Sequence, residues 1–481
     1  MSYQWQFDEQ SEKPPSRSER TLPRRVFGPI LLLLVLVVTA TGFAAGHLLR
    51  QRFDNGQPGP AVALQPEPTL PAATSTPQAE STLPPALVTS GLLNRIVYIG
   101  ANGQVNTMRP DGSDNRQLTQ GNHRYHFPVW SPDGSYIAAI GGSRTTAGIY
   151  LFDDAPSEEN EERIIYEDGN RAPIYMYWSP DSSQISFIAN QPGSLGLFLS
   201  PVNGDESRLV ASGQPFYWDW APDGSRLLIH AGAGGDDQRT TFLTPEGVED
   251  EGQLGMPGLF QAPGMAPSGN YWAVSEEREN GNLWLVVQNN LAAAEVSYRH
   301  AGFISMGWSP VADQLAYISP QQNVNSTAGP LRMVTLDNGE NDLLSLERVR
   351  AFFWSPDGSK IAFLVDSVGP RINASLSNLR RGRGRVLNQF QPGREMELWV
   401  VDIATGNSRL LTTFTPTPIF LLQFLPFFDQ YALSHRLWSP DSTALVIPTL
   451  QDETPHLMVV PVNGGSPEVL RVGDMAFWSH Q

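Results

Sequence analysis

The sequence predicts an all-β fold: an eight-bladed β-propeller of four-stranded antiparallel blades, with seven blades as the alternative count. Three observations carry the prediction. A tryptophan refrain, Trp-Ser-Pro-Asp-Gly, first appears at Trp130 and returns down the chain. Its spacing is about 45 residues, a period that puts propellers and solenoids ahead of other folds. The two ends of the repeating region carry complementary fragments of one repeat.

The chain begins differently. Residues 26–49, "VFGPILLLLVLVVTATGFAAGHLL", hold no Asp, Glu, Lys or Arg. Such a run matches the roughly 30 Å hydrocarbon core of a bilayer. Lys13, Arg17, Arg20, Arg24 and Arg25 precede it, and only Arg50 and Arg52 follow closely. The positive-inside rule then makes residues 1–25 a cytoplasmic tail, 26–49 a single transmembrane helix and everything beyond it extracytoplasmic. The run exceeds the roughly 7–15 apolar residues of a cleaved signal peptide, so a retained anchor in the cell membrane is the expectation. Residues 50–91 follow as a linker rich in Pro, Ala and Thr, semi-stiff where prolines cluster, with a reach on the order of 100 Å.

From residue 92 the repeat takes over. The refrain stands at Trp130, Trp178, Trp220, Trp308, Trp354 and Trp438, with a degenerate "MAPSG" from Met265 and a cut-short "FWSHQ" at Trp478. Proline sets φ at the second position of a type I turn, Asp suits the third, and Gly takes the left-handed conformation that follows. The flanking strands are then antiparallel neighbours. Around Trp130 the set reads "HFPVW" (A), "YIAAI" (B), "GIYLF" (C) and "ERIIYE" (D). Seven such sets can be drawn, beginning before Trp130, Trp178, Trp220, Met265, Trp308, Trp354 and Trp438. "RIVYIG", "QVNTMRP" and "RQLT" supply B, C and D at the start, and "MAFW" supplies A at the end. Pairing them would close the ring and leave no free edge. The recurring tryptophans read as packing between blades and not as a ligand cage.

"RPDGSDNRQLTQGNHRYHFPVWSPDGSYIAAI" resembles the TolB-type propeller repeat, in its Pro-Asp-Gly turn, its Arg-Gln-Leu-Thr strand and its Trp-Ser-Pro-Asp-Gly hairpin. The resemblance covers residues 92–481 and implies the propeller fold. TolB proteins are soluble periplasmic components of an envelope complex, with an α/β domain ahead of a six-bladed ring. This sequence departs from that pattern, with an anchor and stalk in place of the domain and a larger ring. The same repeat precedes the hydrolase domain of prolyl-oligopeptidase-like enzymes, and no such domain is expected after this ring.

Composition narrows the chemistry. With no cysteine among 481 residues, disulfides, thiolate catalysis, iron–sulfur clusters and a lipoprotein anchor are excluded. The net charge is −17, and residues 1–52 carry seven basic and four acidic residues, so the body is more acidic still. That argues against nucleic acid as a partner. No Gly-x-Ser-x-Gly or His-Glu-x-x-His occurs, and "GAGGDD" at 232–237 lacks a P-loop lysine. His123 and His126 do not share a strand face, so no metal site, cofactor or catalytic residue is assigned. No segment reads as an oligomerisation element.

Two insertions interrupt one blade. The A–B and C–D turns share one end of the ring, and the longer B–C and D–A connections share the other, where binding is expected. The B–C connection at about 367–396 holds Arg371, Arg380, Arg381, Arg383, Arg385 and Arg394, with no acid from 371 to 394. The D–A connection at about 413–432 crowds Phe420, Phe424, Phe427 and Phe428 among leucines. One reading folds the apolar loop over the channel as a plug. The other makes arginines and phenylalanines a docking patch for a protein or an envelope polymer. The sequence therefore points to a membrane-anchored, non-catalytic binding or sensing scaffold. The alternative is a propeller enzyme acting on a small molecule or carbohydrate at the channel mouth.

Overall fold

Apolar strands joined by tight turns pair into seven hydrogen-bonded sheets among the described residues. The computed structural model describes residues 93–480, apart from 144, 159–161, 233–237, 250–253, 260, 291–294, 321–326 and 368–393. The expected tail, membrane helix and linker lie outside that range. Among the described residues no helix is long and apolar enough to cross a membrane.

The second sheet sets the pattern: Arg124–Trp130, Ile137–Gly142, Ala147–Phe152 and Arg163–Asp168 pair in sequence order, all antiparallel. Its two middle strands are buried almost throughout, while the outer strand is half exposed. Strands covered on both faces need continuous apolar runs, which is what "IAAI" and "IYLF" supply. The third sheet runs Pro173–Trp178, Gln184–Gln191, Ser194–Pro201, Arg208–Gly213. The fifth runs Gly264–Met265, Tyr271–Arg278, Asn282–Asn289, Glu295–His300.

Two sheets have three named strands and one further bridge. Phe216–Trp220, Leu227–Ala231 and Arg239–Leu243 are completed at Glu249 by a bridge to Leu243. Ala444–Gln451, Thr454–Pro461 and Glu468–Val472 gain Trp438, bridged to Leu445. One sheet has seven strands, from Ser305–Trp308 to Ser408–Phe414. Its middle member, Glu340–Trp354, is the outer strand of one set and then the inner strand of the next. This stretch contains neither Gly nor Pro, so nothing in it breaks the strand.

The first sheet joins the chain's two ends. Met475–Trp478 pairs antiparallel with Ile96–Ile99, followed by Val105–Met108 and Arg116–Gln117. The closure is reinforced where Ser479 N donates to Arg95 O at 2.8 Å and Arg95 N donates to Ser479 Oγ at 3.1 Å. The buried Arg95 guanidinium pairs with Asp114 at 2.7 Å and with Asp154, in the second sheet's outer loop, at 2.9 Å. Each sheet packs on the next and the last returns to the first, so the inner strands surround a central channel.

The tryptophans pack between sheets, as read from the sequence. Trp130, Trp178, Trp220, Trp438 and Trp478 are at most 2% exposed. The indole N–H of Trp220 donates to Ser186 Oγ, that of Trp354 to Gly307 O and that of Trp438 to Phe353 O, each at 2.9 Å and each into the preceding strand set. Trp308 packs closely on Gly264, where a Cβ would come within 2.8 Å of its Cδ1.

The turns follow the sequence closely. Gly134 N donates to Ser131 O, Ser131 Oγ donates to Asp133 Oδ1, and Gly134 sits at φ +72°. Burial pushes the Asp133 carboxyl up, but hydrogen bonds from Ser131 and Ser135 outweigh it and hold the group below its usual range. Where the refrain ends in Ser, that residue still takes positive φ: 61° at Ser182 and 59° at Ser442. Each repays the strain between sheets, because Ser182 Oγ accepts from Asp133 N and Ser442 Oγ from Asp357 N, both at 3.1 Å. Ser182→Ala keeps the strained φ and loses the acceptor, so it should cost about 1 kcal/mol in urea unfolding. Ser182→Gly should cost less, since glycine relieves the backbone.

Candidate functional site

Both insertions leave the same end of one strand set, because Asp366, Met396 and Phe414 are register partners across it. Arg350 Nη2 and Asp366 Oδ2 pair at 2.5 Å beside the root of the arginine insertion, with Arg394 Nη1 at 3.7 Å. Arg371, Arg380, Arg381, Arg383 and Arg385 lie outside the described residues.

The second insertion enters the channel. After Thr415 the chain makes three short helical turns, Phe420–Phe424, Leu425–Phe427 and Phe428–Tyr431. Phe420, Leu421, Phe424, Leu425, Phe428 and Tyr431 are all buried. A helical segment apolar on nearly every side is stable in water only when it is enclosed. The inner strands enclose it. Phe424 stacks near Phe353 and Phe477, at ring distances of 6.0 and 5.7 Å. Phe428 meets Phe352 at 5.5 Å, and Tyr431 meets Phe127 at 4.9 Å and Tyr175 at 5.0 Å. Phe127 is held at φ +48°, unusual for an aromatic residue, where its strand bulges toward the segment.

This corrects one expectation. Phe420, Phe424 and Phe428, offered above as partner-binding candidates, are interior, at 0%, 0% and 4% exposure, and their rings are not presented to a partner. Phe427 is half-buried against the same core. The apolar loop takes the plug arrangement.

Polar anchors, which the sequence reading missed, fix the plug. The Gln430 amide donates to Trp218 O at 2.9 Å and accepts from Trp218 N at 3.1 Å, meeting both backbone groups of an inner-strand residue. Tyr175 OH donates to Gln430 O at 2.8 Å. His435 bridges Ser434 Oγ at 2.6 Å and Phe127 O at 3.3 Å, and burial drives its pKa down to about 3, so it is neutral. Asp429 accepts from the N–H groups of Ala262 and Gln430 and from the Ser305 hydroxyl. Beside the plug, Asp219 accepts from Tyr177 OH at 3.2 Å and Met265 N at 2.8 Å. The available signal was "FFDQYALSH", where four polar residues interrupt an apolar insert.

Other chemistry is sparse. Ser275 Oγ lies 2.9 Å from His300 Nε2, yet Ser275 is fully buried and Gly258 packs directly over its hydroxyl. Among the described residues no group of three or more His, Asp or Glu could hold a metal ion. His123 instead contacts Glu162 at 3.2 Å. A cavity of about 40 Å³ lies at the channel mouth by Arg124, His126, Ile419 and Asp474. An open surface cleft of about 630 Å³ is lined by Tyr136 and Arg163 of the second sheet region and by Gln184 and Asn203 of the third.

Antiparallel sheets arranged cyclically about a channel, closed by pairing the last strand with the first, define a β-propeller. No family model and no curated protein matches the chain. Solved structures do. TolB from Acinetobacter baumannii is 17% identical over 52% of this chain, with a TM-score of 0.34; the chain covers 62% of that TolB. An oligogalacturonate lyase from Vibrio parahaemolyticus is 11% identical, covering 79% of this chain and 85% of its own, with a TM-score of 0.42. The β-propeller domain of the Trilobed protease from Pyrococcus furiosus is 11% identical, covering 74% of this chain and all of its own, at 0.43.

Proposed function

We propose that the protein is a membrane-anchored, extracytoplasmic, TolB-like propeller that acts as a non-catalytic scaffold for a protein or envelope-polymer partner. The single observation that carries this reading is the filled channel, since the space where a propeller enzyme would hold substrate is occupied by the chain's own residues 416–437. At the mouth, beside Arg124, His126, Ile419 and Asp474, the cavity among the described residues is about 40 Å³.

The ring is read as eight blades. The seven-stranded sheet counts as two sets sharing Glu340–Trp354, and the bridges at Glu249 and Trp438 complete the two three-stranded sets. Residues 26–49 anchor it, 1–25 stay cytoplasmic and 50–91 hold it off the bilayer. The partner face is the end bearing both insertions, with Arg371, Arg380, Arg381, Arg383 and Arg385 supplying positive charge on an otherwise acidic protein.

The test is cross-linked capture from native membranes with the intact protein and with a form lacking residues 371–394. The deleted form must first show an unchanged melting transition. A partner held by the intact protein and lost with the deletion supports the reading. Equal capture by both removes the arginine insertion from it.

A further inference from the structure

The chain joins the ring through a strand that is clamped on both sides. Leu93 lies at the turn end, where a Cβ on Gly134 would come within 3.4 Å of its Cδ2. Three residues later begins Ile96–Ile99. This strand is interior to the first sheet. It pairs residue for residue with Met475–Trp478 on one flank and with Val105–Met108 on the other, antiparallel to both. Its four side chains are at most 4% exposed. Ile96 and Tyr98 pack in one cluster with Val446, Leu457 and Trp478, while Val97 and Ile99 belong to the cluster that holds Trp130 and Phe477. Arg95, just before the strand, ties it sideways. Its buried guanidinium pairs with Asp114 at 2.7 Å and Asp154 at 2.9 Å, and Nη2 donates to Thr107 Oγ1 at 3.0 Å. Arg116 Nη1 holds the same Asp154 carboxylate at 2.8 Å, so the tie reaches the second sheet.

We propose that the first sheet is a load-bearing inlet, a mechanical clamp through which the ring carries tension from its N-terminal chain without opening. A pull through residues 1–92 along the channel axis acts parallel to Ile96–Ile99. The ladder hydrogen bonds of an antiparallel pair run perpendicular to the strands, so such a pull shears them. The bonds on both flanks must yield together, whereas a strand drawn sideways from an edge loses them one at a time. Sliding would also drag buried side chains out of two clusters and part a buried guanidinium from its carboxylates, which is costly. The other terminal strand lacks this arrangement. Met475–Trp478 is the inner edge of the same sheet and is paired on one flank only. The use of the clamp in the cell rests on the anchor reading above, since an untethered chain bears no tension. The clamp itself does not, so measuring it on the isolated protein lets the two fail separately.

Single-molecule pulling on the full-length protein in detergent tests it, and the absence of native cysteine lets engineered thiols serve as handles. One protein carries Ser81→Cys and Asn170→Cys and loads the inlet strand. The other carries Asn170→Cys and a cysteine appended after Gln481, and loads Met475–Trp478. Asn170 is exposed in a D–A connection at the insertion end, so both pulls run along the strands. Ile96 is the register partner of Trp478, so the two strands leave the ring side by side and the pulls differ in flanks, not in direction. The expected ratio of rupture forces, inlet over C-terminal, is above one, at about 1.5 to 2, because forced unfolding follows the unfolding barrier and two flanks shear instead of one. Arg95→Ala should lower the inlet force and leave the C-terminal force nearly unchanged. A ratio of one or less overturns the proposal, and so does an equal fall of both forces in the Arg95 variant. If that variant does not fold, the ratio in the unsubstituted ring decides alone.

Discussion

Truncation after Asp474 is expected to abolish cooperative folding. The four residues Met475–Trp478 are each at most 2% exposed and form the inner strand of the first sheet. Burying the three large side chains, Met475, Phe477 and Trp478, is worth roughly 1.5–3 kcal/mol each. Their combined loss is comparable to the whole stability of a typical domain, roughly 5–15 kcal/mol. The damage also extends beyond one sheet. Phe477 packs on Phe424 and His435 of the plug, and Trp478 N donates to Arg436 O at 2.8 Å. Circular dichroism melting of the truncated chain should show no sharp transition. A melt within a few degrees of the intact protein would mean that the closing strand is dispensable.

Phe424→Ala is the single substitution expected to cost most. Phe424 is fully buried, with Phe353, Phe420, Phe477 and Tyr431 around it at ring distances of 5.1 to 6.0 Å. Truncating such a ring leaves a cavity worth about 3–5 kcal/mol. Phe427→Ala, at a half-buried position three residues away, should cost clearly less. Equal midpoints in urea for the two variants would contradict the enclosed plug.

The refrain was legible because each residue in it has its own local task. Pro132 sets a turn, Asp133 accepts from the residues around it, and Gly134 takes positive φ, all within a few positions. Ring closure was legible because "MAFW" has the apolar character and length of an inner strand and the first repeat lacks one. The continuity of Glu340–Trp354 was not anticipated. A turn was assumed between outer and inner strand, although that stretch has no turn-forming residue. The plug was legible only as one of two readings, since a run of Phe and Leu suits an interior as well as a docking surface. Gln430, Asp429 and Ser434 showed only as polar breaks in an apolar insert, with no sign of what they bind. Their partners, Trp218, Ala262 and Tyr175, lie more than 160 residues away in sequence, and only the closed ring brings them together.

The central claim is that the chain fills its own channel, and the absence of native cysteine allows a clean measurement of it. Single-cysteine proteins carrying Leu421→Cys or Ala432→Cys would be treated with a maleimide in native buffer and again in denaturant. Leu421 is 4% exposed, whereas Ala432 lies exposed at the end of the same segment. The account predicts that the thiol at 432 is labelled at once and the thiol at 421 only after unfolding. Equal labelling of both in the folded protein would contradict it.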